Sequence, residues 1–518
     1  YYMQKLLVLI ILDGWGIAPA SNGNAIALAK TPTMDFLYKK YPNTILKAHG
    51  KYVGLPKYQD GNSEAGHMNL GAGRKVKQDA VYISESIVDG TFFKNTAILE
   101  AIKHIKKYKT NVHIMSLLSG SQSPHTDLSH IHAILKLVEQ QEIGGDRIFL
   151  HFFTDGRDSS QYGALEYYKK VTTYFQRNEN VATISGRFYA MDRKKKWERI
   201  EKVYNAIVLG EGEKTESPEQ AIINAYNKKL TDEYIIPTVI TKNEKPISVV
   251  KDNDAIIFSN LRSDRARELT KAFVQKNFNE MNPGSFKRKK VLQNIRFVAM
   301  TDFGPDLPHI FTAFPSRDIK MSLPAVLENI KQVYIAETEK YAHMTYFING
   351  GYANPVDGEE RIKISSLDIP YYDKEPQMSA PEITKTVLKK IQENNYNFIA
   401  VNFANPDMIG HTGNLQATIQ AIECVDKCVG EIVKKVQEKN GNIIITADHG
   451  NAEEMINLKT GEIDTKHSKN PVPFILVNNQ NKKLNLRDGG TLVDVAPTIL
   501  ELLQKKKPKE MKGKTLII

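Results

Sequence analysis

Along the chain, short apolar runs of strand length alternate with polar segments and stretches of helical periodicity. The first run, Leu6 to Leu12 (LLVLIIL), ends directly on Asp13-Gly14-Trp15-Gly16. VHIMSLLS (112–119) precedes His125, IFLHFFTD (148–155) precedes Gly156-Arg157-Asp158, and ATIS (182–185) precedes Gly186-Arg187. AIIFSN (255–260) leads to Arg262 and Arg265, FIAVNFANPD (398–407) to His411, and NIIITAD (442–448) to His449. Uninterrupted apolar runs predict strands buried on both faces, and their alternation with helical segments predicts an α/β protein with largely parallel sheets. Ligands bind such sheets at the carboxyl ends of the strands, which is where these polar groups fall.

The first run also imitates a secretory signal, with Met3-Gln4-Lys5 before it and Ala18-Pro19-Ala20 after it. Its seven residues are few for that purpose and too few to span a bilayer. A run ending on an acid and glycines predicts instead a central strand that delivers a carboxylate to a site. Tyr1-Tyr2, ahead of Met3, read as an addition to the natural sequence.

The polar groups are of two chemical kinds. Carboxylates, imidazoles and one serine gather in residues 13–67 and again in 407–467, whereas arginines mark the strand ends from roughly 150 to 270. This predicts a metal-bearing domain built from both ends of the chain, residues 1–78 and 314–518, with an anion-binding domain, 79–313, inserted in it. The crossings are expected near Lys75–Asp79 and Thr312–Ser316.

Asp407 and His411 stand four apart, on one face if the chain turns helical there. Asp448-His449 follows a strand on a tight turn, and His467 lies in a polar loop. With Asp13 these make six candidate ligands of mixed O and N type, suited to Mn²⁺, Zn²⁺ or Mg²⁺. Six are too many for one ion with an open position, whereas a two-metal centre uses them naturally. The nucleophile candidate is Ser63, in Asp60-Gly61-Asn62-Ser63-Glu64-Ala65-Gly66-His67. The glycines permit close approach, and a serine without a nearby base can be activated by a dication. No G-x-S-x-G occurs, which argues against an α/β-hydrolase triad.

Composition narrows the picture only by exclusion. With 41% hydrophobic and 25% charged residues, the 518-residue chain is neither disordered, fibrous nor a membrane protein. Two cysteines exclude a disulfide scaffold and a Cys-based zinc site. Cys424 and Cys428, one helical turn apart, read as buried core thiols in a reducing cytoplasm. The net charge of +11 raises the alternative of a nucleic-acid binder. However, residues 79–313 hold 34 basic and 29 acidic residues and the rest of the chain 36 and 30, so no region concentrates the excess. No nucleic-acid-binding motif accompanies it.

LDGWG (12–16), GNSEAGH (61–67), NPDMIGHTG (405–413), TADHGNAE (446–453) and KHSKNPVPF (466–474) together resemble the cofactor-independent phosphoglycerate mutases of the alkaline phosphatase superfamily. FTDGRDSS (153–160), ISGRFYAMDR (184–193), NLRSDRARELT (260–270) and AETEKYAHMTYFINGG (336–351) extend the resemblance over nearly the whole chain. It implies an alkaline-phosphatase-like metal domain with a second α/β domain inserted in it. It also implies interconversion of 3- and 2-phosphoglycerate in glycolysis and gluconeogenesis through a phosphoserine, without 2,3-bisphosphoglycerate. The alternative within the superfamily is another phosphatase or phosphomutase.

By the same resemblance Asp13, Ser63, Asp448 and His449 hold one divalent ion and Asp407, His411 and His467 a second. Mn²⁺ is the expected ion, with Mg²⁺, Co²⁺ or Zn²⁺ as alternatives. Ser63 becomes the nucleophile and Lys340 neutralises the transferring phosphoryl group. Arg187 and Arg193 bind the carboxylate side of the substrate, Arg262 and Arg265 its phosphate, and Arg157 and Asp158 the glycerate hydroxyls. Asp158 and His125 are the proton-transfer candidates. The segment Ser119–Asp127 departs from the family's G-G-V-H-S-H: His125 aligns with the first histidine, Asp127 replaces the second and His130 matches a later one. A cytoplasmic monomer with a small-molecule substrate, and no nucleic-acid or membrane partner, is expected.

Overall fold

In the computed structural model, which describes residues 6–304, 306–307, 309–317, 319–369, 371–478 and 484–518, the first apolar run forms the strand Leu7–Leu12. Tyr1-Tyr2 and Met3-Gln4-Lys5 lie outside the described residues. All six residues of the strand are fully buried because it runs through the middle of a sheet, parallel to Phe398–Phe403 on one side and Asn442–Thr446 on the other. Covered on both faces and both edges, such a strand has no polar side to show, which is why it reads as an unbroken apolar run.

The chain divides into two compact units, residues 1–78 with 318–518, and residues 79–317. Among the described residues, the sheet of the first unit has the order Glu359–Ile364, Gln332–Glu337, Phe398–Phe403, Leu7–Leu12, Asn442–Thr446, Val472–Val477, Asn43–Lys47, Gly490–Thr491. Leu12 pairs with Phe403 and Ile11 with Thr446, so the residues after these strands leave the sheet along one edge. Those residues are Asp13, the short helix Asn405–Gly410 that carries Asp407, and the turn with Asp448 and His449. Val472–Val477 runs antiparallel to Asn442–Thr446, with Phe474 opposite Thr446. The loop before it, with His467, therefore reaches the same edge. The long helix Leu415–Glu438 carries both cysteines. Cys428 is buried, Cys424 only half-buried, and neither is in a disulfide.

The sheet of the second unit has the order Ile310–Phe314, Arg296–Thr301, Ala255–Phe258, Val112–Leu118, Ile148–Thr154, Asn180–Gly186, Thr238–Lys242, Glu213–Thr215. Its central pairs are parallel, with Leu118 opposite Thr154 and Thr154 opposite Gly186. Alternate side chains enter separate apolar layers: Ile114, Leu150 and Phe152 in one, Met115, Leu117 and Phe153 in the other. Helices cover both faces, as a parallel sheet requires. Among the described residues, no helix is long and apolar enough to cross a membrane.

Because Leu9 sits at the centre of the first sheet with no exposed surface, Leu9→Ala is expected to cost about 2–5 kcal/mol. The measurement is the urea midpoint, and an unchanged midpoint would contradict the central placement of the strand.

Candidate metal centre and arginine cluster

Ser63 is the first residue of the helix Ser63–Ala72, and the side chain of Asn62 caps that helix by accepting from the Ala65 N–H at 2.9 Å. The serine loop packs closely on the Asp448-His449 turn. A Cβ on Gly61 would lie 2.7 Å from His449 Cβ, and one on Gly66 would lie 2.6 Å from the Asp448 carbonyl oxygen. The two glycines thus admit the Asp448-His449 turn against the serine loop, whereas the sequence suggested that they admit a ligand.

Seven predicted ligands meet here. Lys340 Nζ donates to Asp13 Oδ1 and Asp407 Oδ2, both at 2.6 Å, and to Ser63 Oγ at 2.8 Å. Ser63 Oγ is also 2.9 Å from His449 Nε2. Asp407 Oδ1 lies 3.3 Å from His411 Nε2 and 3.2 Å from His467 Nε2. Asp448 Oδ2 is 3.4 Å from His449 Nε2. The helical turn expected for Asp407 and His411 is present, at the end of Asn405–Gly410.

The orientation of the imidazoles fits a cation. Nδ1 of His411 faces the Thr465 carbonyl (2.7 Å), that of His467 the Gly61 carbonyl (2.9 Å) and that of His449 the Gly450 carbonyl (3.2 Å). A carbonyl only accepts, so each Nδ1 carries a proton and each Nε2 is left facing the carboxylates. At His411 burial lowers the pKa, but Asp407 prevails and raises it. Nε2 of His411 and Nε2 of His467 stand 2.9 Å apart. A contact of that length needs a proton or a cation between the two nitrogens.

The carboxylates show the same demand. Burial, and then the charge of Asp448, push the Asp13 carboxyl up to about 7. Burial raises Asp407, but Lys340, His411 and His467 together outweigh it and hold that carboxyl well below the usual range. At Lys340 burial favours the neutral amine, but Asp13 and Asp407 prevail and raise its pKa. Asp13, Asp407 and His449 can offer ligand atoms within 4.8 Å of one another, as can Asp407, His411 and His467.

Supporting residues escaped the sequence reading. Asn402 Nδ2 donates to Asp13 Oδ2 at 2.8 Å and lies 3.0 Å from His67 Nε2. His67 Nδ1 contacts the Ser63 carbonyl at 2.9 Å and Asp448 Oδ2 at 3.3 Å. Asn451 Nδ2 donates to Asp407 Oδ1 at 2.9 Å. A signal existed for two of them: Asn402 is a polar residue inside a buried strand, and His67 follows Ser63 by one helical turn.

In the second unit Arg187, almost fully buried, donates from one nitrogen to Asp155 Oδ1 and Asp158 Oδ2, each at 2.6 Å. Its other terminal nitrogen lies 3.5 Å from His125 Nε2, which is itself 3.5 Å from Asp158 Oδ2. Arg193 donates to Asp264 Oδ2 at 2.7 Å, and Arg262 Nε is 3.8 Å from Asp264 Oδ1. Arg265 donates to the Met191 carbonyl, and the exposed Arg157 turns to Glu233 at 3.8 Å. Asp155, not singled out from the sequence, also takes the Ser119 hydroxyl and the N–H groups of Arg157 and Asp158.

The guanidinium charges crowd one another. Burial, with Arg187 and Arg193 nearby, brings Arg265 down to about 10. Burial and then Arg187, Arg262 and Arg265 hold His125 well below its ordinary value, so its ring is neutral. Crowded cations around a neutral imidazole form an environment that a bound anion relieves.

Comparison with known proteins agrees with this chemistry. A model of the metalloenzyme superfamily matches residues 5–507. A 2,3-bisphosphoglycerate-independent phosphoglycerate mutase of Clostridioides difficile is 47% identical over 99% of each chain, and one of Clostridium botulinum is 45% identical over 99% of each. A crystal structure of Leishmania mexicana phosphoglycerate mutase, obtained at low cobalt concentration, superposes with a TM-score of 0.80 at 28% identity. It covers 100% of this chain and 98% of that one. With nearly half of its residues shared from end to end, and an arrangement suited to divalent metal, the chain belongs to the 2,3-bisphosphoglycerate-independent phosphoglycerate mutases.

Proposed function

We propose that the chain interconverts 3-phosphoglycerate and 2-phosphoglycerate by passing the phosphoryl group through Ser63, without 2,3-bisphosphoglycerate. The observation that carries this reading is the position of Ser63 Oγ, 2.8 Å from Lys340 Nζ and 2.9 Å from His449 Nε2, in a chain related along its whole length to mutases of that name.

Asp13, Ser63, Asp448 and His449 would hold one divalent ion and Asp407, His411 and His467 a second; the family resemblance favours Mn²⁺, and such O and N donors also accept Mg²⁺, Co²⁺ or Zn²⁺. Ions bound there supply positive charge that favours the serine alkoxide and offsets the charge of the phosphoryl group. Ser63 Oγ loses its proton to solvent as the alkoxide forms and bonds to the substrate phosphorus. The bond from phosphorus to the glycerate oxygen breaks, and that oxygen takes a proton from Asp158 or His125, leaving phosphoserine and glycerate. Lys340, already donating to Ser63 Oγ, neutralises the group in transfer.

Arg187 and Arg193 hold the carboxylate, whose two oxygens match the guanidinium fork, and Arg262 and Arg265 guide the phosphate. Arg157 and Asp158 meet the glycerate hydroxyls. Once the 2- and 3-oxygens have exchanged places, the other hydroxyl loses its proton to Asp158 or to the neutral His125. It then takes the phosphoryl group back and releases Ser63. Residues 1–78 with 318–518 would thus be the metal-binding, phosphatase-like domain and 79–317 the glycerate-binding domain, the second crossing lying four residues beyond the 313/314 boundary expected from the sequence. The free cysteines fit a reducing cytoplasm, where the chain would act as a monomer in glycolysis and gluconeogenesis.

A coupled assay should convert 3-phosphoglycerate without added 2,3-bisphosphoglycerate and lose the activity on thorough chelation. Dependence on the bisphosphate, or activity that survives chelation, would sink the reading. Ser63→Ala should reduce turnover by at least about 10³-fold, as loss of a nucleophile does, with an unchanged circular dichroism spectrum; comparable turnover would remove Ser63 from its role. Arg187→Lys keeps the charge but cannot reproduce two bonds from one planar group. It is expected to lower kcat/KM roughly 10- to 100-fold, the equivalent of about 1.5–3 kcal/mol for a hydrogen bond to a charged group. An unaltered kcat/KM would place the substrate elsewhere.

A further inference from the structure

Glu453 lies four residues beyond His449 and is 2% exposed. Its partners are four uncharged donors. Oε2 accepts from the backbone N–H of Gly16 at 2.9 Å and of Asn451 at 2.8 Å. Oε1 accepts from the Ser468 hydroxyl and from Asn470 Nδ2, the latter at 3.0 Å. These donors belong to three segments, the first remote in sequence from the other two, and each segment carries metal-ligand candidates. Gly16 follows Asp13 by three residues, Asn451 follows His449 by two, and Ser468 adjoins His467.

The backbone around the carboxylate is shaped to admit it. A Cβ on Gly16 would stand 2.2 Å from Glu453 Cδ, and one on Gly450 would stand 2.4 Å from Glu453 Oε1 and 2.3 Å from Ser468 Oγ. The Ser468 N–H donates to the Gly450 carbonyl at 2.9 Å, and the Ser468 carbonyl accepts from the Gly61 N–H at 3.3 Å, which joins the serine loop to the same network.

A buried carboxylate with no cation beside it is costly, and a sequence that needed only packing would use an apolar side chain there. What a carboxylate alone offers is acceptor capacity on both oxygens, about four lone-pair sites and no donor. Four donors converge on it. Glutamine could keep its oxygen on the two backbone N–H groups, but its NH₂ group would then meet the Asn470 NH₂ and force the Ser468 hydroxyl to turn from donor to acceptor.

We propose that Glu453 is a positioning residue, one carboxylate that fixes the segments of Asp13, His449 and His467 relative to one another and thereby sets the affinity of the centre for its metal ions. This rests on the reading that those residues hold metal. Groups that orient ligands from behind typically change metal affinity by about 10- to 100-fold when altered.

The test is calorimetric titration of Mn²⁺ into metal-free full-length protein, wild type and Glu453→Gln, with near-ultraviolet circular dichroism to confirm that both are folded. Glu453→Gln should bind Mn²⁺ about 10- to 100-fold more weakly. Its mutase turnover should be low at limiting Mn²⁺ and recover when Mn²⁺ is in excess, a rescue that a purely structural defect would not show. Equal Mn²⁺ affinity in the two proteins, or weak turnover that excess Mn²⁺ leaves unchanged, overturns the proposal alone. Wild-type protein that takes up no Mn²⁺ overturns the metal reading and the proposal with it. Should Glu453→Gln not fold, Ser468→Ala, which removes one of the four donors, carries the same titration. It should weaken Mn²⁺ binding several-fold, and unchanged binding overturns the proposal.

Discussion

Asp13, Asp407 and Asp448 are buried together, with the Lys340 ammonium bridging the first two. Burying carboxylates is tolerated only where charge and hydrogen bonds replace the lost water. Much of the surrounding structure supplies that replacement. Asn402 donates to Asp13, Asn451 to Asp407, and the N–H groups of Gly14 and His449 to Asp448. The imidazoles complete the shell, each with its Nδ1 held by a backbone carbonyl. One lysine lies among the three acids, and two imidazole nitrogens face each other at 2.9 Å. A centre of this kind is built to accept further positive charge.

The fold meets this constraint through register. Parallel pairing of Leu7–Leu12 with Phe398–Phe403 and Asn442–Thr446 brings three acid-bearing connections out along one edge, though almost 400 residues separate Asp13 from Asp407. The antiparallel strand Val472–Val477 adds His467 from its own amino-terminal side. A slip of one residue in any pair would move its ligand by about 3.3 Å and turn its side chains to the opposite face. The hydrophobic pairing of the sheet is therefore also what places the chemistry.

The inserted unit shows the same logic with the sign reversed. Its arginines crowd one another enough to bring Arg265 down to about 10 and to keep His125 neutral. Asp155 anchors Arg187 from beneath, as Asn402 anchors Asp13. The excess charge of +11 that the composition displays is divided between the two stretches of chain. The part that bears on function is local, a few guanidinium groups held close together by strand ends.

Buried central strands such as Leu7–Leu12 and Val112–Leu118 could be read directly from the sequence, because an element covered on both faces must be apolar throughout. The same is true of Asp13, Asp448, His449 and Arg187, each of which follows such a run. Strands at the margins were harder to see. Asn43–Lys47 alternates buried and exposed residues over only five positions, and the half-buried Glu359–Ile364 is mostly charged. Least legible were the residues that hold others in place. Glu453 and Asn451 act on groups far along the chain, so no local pattern announces them, whereas Asn402 and Asp155 left only the trace of a polar residue in or directly after a buried strand. Residue order was enough to specify the chemical inventory, the buried strands and the family, since these depend on composition at neighbouring positions. Which oxygen faces which nitrogen depended on strand register and loop packing, and those contacts exist only once distant segments have been brought together.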